Sequence, residues 1–219
     1  YFLFPLTYQH FRSGETTVGN DGVNDTQFLA SRNGINWTWY DRRPYVERGL
    51  PGEPDGGMVA CAWPTQFRRG NYLYQFYGAW PWTHGGFRSL TTDQRRDKAV
   101  AWGRQRVFVV LQRLDGFVSA DAPYSGGWLV TPPLVFEGRT LQLNIDVAAM
   151  GEARVEIQDA EGKPVPGYEL AKCKRILSND VAYTVCWEGK SDVAALAGKP
   201  VRLSLRMRSA KLYAFQFVP

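Results

Sequence analysis

Along most of the chain apolar and polar residues alternate with a period of two, the spacing of a strand with one buried face, and a helical period is nearly absent. The stretch from Glu53 to Asp121 departs from simple alternation. There Tyr72, Tyr74 and Phe76 interleave with Leu73, Gln75 and Tyr77, while Val107, Val109 and Leu111 take one face and Phe108 and Val110 the other. Apolar residues on both faces predict strands covered on both sides, as in one blade of a β-propeller held between neighbours. Small residues at Gly56, Gly57, Ala60 and Ala62 predict a crowded inner strand from Gly57 to Phe67, followed by a turn at Gly70 and Asn71. A loop is expected from Trp80 to Arg96, then one or two strands between Ala99 and Leu114.

Before this stretch, Tyr1 to Phe11 reads as a strand that starts at full hydrophobicity, a pattern that expects a neighbouring strand earlier in sequence. Asn33 and Gly34 suit the positive φ of a type I′ hairpin, after which Trp37 and Trp39 resume the alternation. Asp41 to Pro54, rich in Pro, Gly and charge, reads as a connection.

From Gly126 the pattern becomes one-sided. Leu141, Leu143, Ile145 and Val147 alternate with polar residues, as do Val155 and Ile157, which predicts a two-sheet sandwich. Val181 to Trp187, Val201 to Met207 and Tyr213 to Phe217 supply further strands. Ser191 to Gly198 reads as one helical turn with Ser191 as N-cap, Gly198 past its end and Pro200 blocking continuation. The expected fold class is therefore all-β: a partial propeller of about two blades over residues 1–122, then a β-sandwich over 123–219.

Composition supports many turns and large packed rings: 219 residues hold 22 Gly, 13 Pro, 8 Trp, 11 Tyr and 12 Phe. The net charge of +5 comes from dispersed cations, and Arg202, Arg206 and Arg208 alternate with Val201, Leu203, Leu205 and Met207. That is the outer face of a strand, so no nucleic-acid partner is expected. No apolar run approaches the ~20 residues of a membrane span. With no initiator Met and no signal-peptide pattern, the chain is expected to continue something longer or to have lost a leader. Of the cysteines at 61, 173 and 186, the last two either close a short loop or stay free thiols.

The segments SRNGINW, EPDGGM, YGAWPWTHGG, RLDGFVSADA, GGWLVTPPLVFEGRTLQLNID and SDVAALAGKPVRLSLRMRSAKLYAFQF, in that order, resemble the C-terminal half of bacterial glycosidase-related proteins. Those proteins carry a five-bladed β-propeller akin to glycoside hydrolase families 32 and 43, followed by a β-sandwich. RLDGF and the GG-x-L sequence after it are the most specific part. The resemblance implies a fold and a carbohydrate substrate class, hence an extracellular or periplasmic location. It also marks a departure: the residues before Ala122 suffice for about two blades, and an open pair leaves unpaired edges. Completion by a missing N-terminal part, another chain or self-association is expected.

Glycoside hydrolysis needs two carboxyls flanking the scissile bond. Asp55, and after it Glu53, are the candidate catalytic acids, since they precede the inner strand where loops meet a propeller funnel; Glu-Pro-Asp-Gly-Gly is equally an ordinary turn sequence. His84, with Trp80 and Trp82, forms a candidate sugar contact, because indole faces stack on sugar rings while an imidazole bonds hydroxyls. Packing between blades would use the same loop. His10, beside Tyr8, is a further substrate-binding candidate. No metal site and no cofactor are expected, because two His without a matching carboxylate set make no ligand cluster. The leading reading is a carbohydrate-active protein acting on or binding extracellular polysaccharide. The alternatives are a non-catalytic glycan-binding or structural subunit, and a pure interaction module.

Overall fold

The computed structural model describes residues 1–15, 19–60, 66–102 and 105–219, the side chains of 98–102 excepted. Cys61 and Ala62 of the expected inner strand thus lie outside the described residues. Strands dominate, one helix exceeds a single turn, and no barrel closes among the described residues. The all-β class read from the alternation holds. Two compact units divide between Gln112 and Arg113.

The first unit contains β1 (Phe2–Leu3), β2 (Leu6–His10), β3 (Gly22–Thr26), β4 (Leu29–Ala30), β5 (Met58–Ala60), β6 (Phe67–Arg69), β7 (Tyr72–Trp80), α1 (Thr92–Trp102) and β8 (Arg106–Arg113), the last reaching across the division. β1 pairs with β4 by itself. The main sheet runs β2-β3-β5-β7, with β6 and β8 also on β7. The expected strand from Tyr1 to Phe11 is broken at Phe4 and Pro5, as a residue with no N–H to donate requires. The turn after Ser31 is not type I′, for Gly34 has φ +73° while Asn33 stays at negative φ. Side chains build it instead: Ser31 Oγ accepts the N–H groups of Asn33 and Gly34, and Asn33 Oδ1 those of Ile35 and Asn36.

Two further expectations in this unit fail. Helix α1 occupies part of the segment expected as loop and strand. Thr91 Oγ1 accepts the Gln94 N–H at 3.2 Å and Gln94 Oε1 the Thr91 N–H at 3.0 Å, a reciprocal cap, with Asp93 in the first turn. Nor is β8 buried on both sides. Phe108 and Val110 pack on a small core of Val46, Val59 and Ala79, whereas Val107, Val109 and Leu111 are exposed. The core is too small to occupy both faces of the sheet.

The second unit holds β9 (Ala120–Ala122), β10 (Gly127–Val130), β11 (Thr140–Asp159), β12 (Asn179–Thr184) and β13 (Val201–Val218). β9, which ends at the expected join, pairs with β13 and so belongs here. Strands expected as separate pieces are continuous: β11 and β13 pair from Thr140↔Val218 to Asp159↔Val201. Each bends at an irregularity. β11 shifts register between Val147 and Glu152, opposite Ser209 at φ +42°. The inward row of this strand pair, including Leu141, Ile145, Val155, Leu203 and Leu205, packs against Phe136, Ile176, Trp187, Val193 and Leu196. The sandwich is thus one hydrogen-bonded sheet whose core side is covered by connecting segments. Trp187, fully buried, donates its indole N–H to the Val155 carbonyl at 2.9 Å.

The helical turn before β13 is a short 3-10 segment, Ala194–Leu196, and its cap differs from expectation. Asp192 Oδ1, not Ser191, accepts the Ala194 N–H at 2.9 Å. Gly198 follows at φ +76°. Cys173 and Cys186 are free thiols.

Candidate functional site

The site residues read from the sequence all lie in the first unit and are positioned by the β5–β7 ladder and the β2–β3 hairpin. Antiparallel pairing of Met58 with Trp80, continued by the Gly57 N–H to the Trp80 carbonyl at 2.9 Å, brings the segment before β5 beside the segment after β7. The loop of Glu53 and Asp55 therefore leaves the same end of the ladder as the loop of Trp82 and His84. Gly57 has to be glycine, because an added Cβ would overlap the Trp82 backbone. Gly56 has its own constraint, since a Cβ there would overlap the Leu50 carbonyl.

Glu53 and Asp55 sit on a tight turn. The Glu53 N–H donates to the Leu50 carbonyl at 2.9 Å and the Gly56 N–H to the Glu53 carbonyl at 3.1 Å. Glu53 Oε2 in turn accepts the Leu50 N–H at 2.8 Å. Both carboxylates crowd Gly49, where an added Cβ would overlap them. Glu53 is engaged in holding its own loop, whereas Asp55 is half-buried.

His84 meets residues of the first hairpin. Its N–H donates to the Gly22 carbonyl at 2.8 Å, and Nδ1 lies 3.1 Å from the Asn20 carbonyl. The Tyr8 ring stands 5.3 Å from the His84 ring and 5.6 Å from the His10 ring, so one phenol neighbours two imidazoles. Its hydroxyl donates to Asn20 Oδ1 at 3.3 Å. Partial burial, and next the negative charge of Asp21, push the Tyr8 phenol above its ordinary value. Asp21 is the residue that sequence reasoning missed: buried, it accepts the Gly22 and Gly85 N–H groups at 2.7 Å each on Oδ1 and ties the His84 loop to β3.

The tryptophans divide differently. Trp82 packs on Phe87 at 4.6 Å, and Arg95 lies over Phe87 while donating to the Phe87 and Arg88 carbonyls. The Trp80 indole folds back over Gly78, away from the ladder end where His84 lies. Geometry therefore gathers His10, Tyr8 and His84 in one cluster and Glu53 with Asp55 in another, and no hydrogen bond or ion pair joins the two among the described residues. Those residues also hold no group of three or more His, Cys, Asp or Glu arranged to bind a metal ion.

The sequence matches no family model and no curated protein. Among solved structures it is similar to a glycoside hydrolase family 43 arabinoxylan arabinofuranohydrolase from Bacillus subtilis, in complex with cellotetraose, at 14% identity and a TM-score of 0.26. The match covers 89% of this chain and 47% of that one, so the chain spans about half the length of that structure.

Proposed function

We propose that the protein is carbohydrate-active and acts on or binds extracellular polysaccharide at the end of the β5–β7 ladder. The observation that carries this reading is the Tyr8 ring beside both His10 and His84, at the ladder end from which the Asp55 loop also leaves. A half-exposed phenol face offers stacking to a pyranose, and the exposed imidazoles offer bonds to its hydroxyls.

One feature favours the glycan-binding form of this reading over hydrolysis. Hydrolysis needs two available carboxyls. Glu53 is committed to the Leu50 N–H and Asp21 to two backbone N–H groups, which leaves Asp55 as the acid for chemistry. Release of reducing sugar from polysaccharide by the intact chain and by Asp55→Asn tests the hydrolytic form. Activity that vanishes in the variant while glycan retention persists supports a catalytic Asp55; retention by both with no release supports a binding protein. The absence of both release and retention would contradict the proposal.

A further inference from the structure

The outer face of the second unit's sheet carries an open groove of about 920 Å³ between β10, β13 and β11. Residues directly opposite one another in antiparallel strands project to the same face, and the register sets Trp128 opposite Arg206 and Arg206 opposite Arg154. A tryptophan and two arginines thus form one row across three strands. Beside it Arg208 lies over the Tyr124 ring at 5.8 Å, as Arg206 does over Trp128. Both aromatic rings are mostly exposed, Trp128 at 61% and Tyr124 at 64%.

The charges of this groove are satisfied asymmetrically. Its carboxylates have partners: Glu152 pairs with Arg175, Glu156 accepts the Leu170 N–H and the Gln158 amide, and Glu169 accepts the Gly167 N–H and pairs with Lys172. Among the described residues Arg154, Arg206 and Arg208 enter no ion pair. Like charges directly opposite on a sheet repel; Arg154 and Arg206 stand so, whereas Arg208 faces Glu152 across the same ladder, so the Arg154–Arg206 pair is where an added anion would be accepted. We infer that this groove binds an anionic oligosaccharide, with sugar rings on Trp128 and Tyr124 and a carboxylate or sulfate group on Arg206 and Arg154. The inference rests on the carbohydrate reading for the class of ligand alone; its residues are separate from those at the β5–β7 end. A single-stranded nucleic acid also stacks on aromatic rings, but its phosphate on every nucleotide calls for a longer basic track than this short row.

Calorimetry on the whole chain decides it, with tetragalacturonate, a heparin tetrasaccharide, neutral galactotetraose and octathymidylate as probes. One acidic sugar should bind at least about tenfold more tightly than the neutral one, and Arg206→Gln or Trp128→Ala should each lower that affinity about tenfold. Arg206→Gln should leave the melting temperature unchanged or raised, since it relieves a like-charge pair, and this separates lost binding from lost folding. Tyr8→Ala and Asp55→Asn should leave binding here unaffected, so failure of the first-unit reading does not carry over. The inference is overturned if neither acidic sugar binds more tightly than the neutral one, if the Arg206 and Trp128 variants bind as the parent does, or if octathymidylate binds best.

Discussion

Arg113 explains at the level of one side chain why RLDGF reads as a signature. Its guanidinium donates to Asn144 Oδ1 at 2.5 Å, to the Ile145 carbonyl at 3.0 Å, to the Asp180 carbonyl at 2.6 Å and to Asn179 Oδ1, and it lies 5.0 Å from the Tyr213 ring. Asp115 then turns the chain at φ +54°, and the Asn144 amide closes the loop on the Leu114 carbonyl. Charge-assisted bonds of this kind stabilise more than neutral ones, and removing the donor strands several acceptors at the β11 irregularity. Arg113→Ala should therefore lower stability by about 2 to 4 kcal/mol in a chemical denaturation curve. A change near zero would mean that solvent replaces the guanidinium.

A second residue-scale prediction concerns acid. The Ala194 N–H, and after it the Arg139 side chain at 2.5 Å, hold the Asp192 carboxyl below the usual carboxylate range. A carboxyl whose folded value is depressed contributes stability that is present above its unfolded value and lost as pH falls through the folded one. The melting temperature should stay level down to about pH 4 and then drop, with a shallower acid slope in Asp192→Asn. An identical slope in the variant would assign the acid transition to other groups. The motif RLDGF was legible as a string, but not the Arg113 network, since its partners lie at positions 144, 145, 179 and 180. The same holds for Asp21, which ties down a loop that follows it by more than sixty positions.

Among the elements, alternation sufficed where one face is buried and failed where local chemistry overrides it. The rows of β11 and β13 were readable because Leu141 to Val147 and Val201 to Met207 keep their period. Their continuity was not, because the bend at Ser209 interrupts the period without ending the strand. For α1 the signal was present in Thr91 and Gln94, a capping pair that a reading by hydrophobic period passes over because the helix shows little apolar face. The β5–β7 ladder end carries a test of its own. Gly57→Ala drives a methyl group into the Trp82 backbone and should cost about 2 to 3 kcal/mol through displacement of the His84 loop. Unchanged stability together with unchanged His84 ring resonances would show that the approach is looser than described.

At the scale of the molecule the two units differ in what holds them. The second has a continuous core around Trp187, Ile145 and Leu205, whereas the first has Val46, Val59 and Ala79 and leaves Phe2, Leu6, Val107 and Leu111 exposed. Residues 113–219 expressed alone should unfold cooperatively, and the first unit should be the part that melts or is proteolysed first in the whole chain. A non-cooperative melt of the isolated segment would contradict this division of stability. That the first unit associates with further protein, as expected from unpaired blade edges, is a separate prediction: sedimentation of the purified chain as a compact monomer would count against it.

The claim that this protein handles carbohydrate meets its most direct test in an array of neutral and acidic oligosaccharides, probed with the intact chain and with Tyr8→Ala. The account predicts that the parent is retained on a defined set of sugars. Those recognised by the first unit should weaken by about 1 to 2 kcal/mol in the variant, the cost of removing one stacking ring. Retention on no sugar at all would contradict it, and a parent and variant with identical profiles across the whole array would contradict the site at Tyr8.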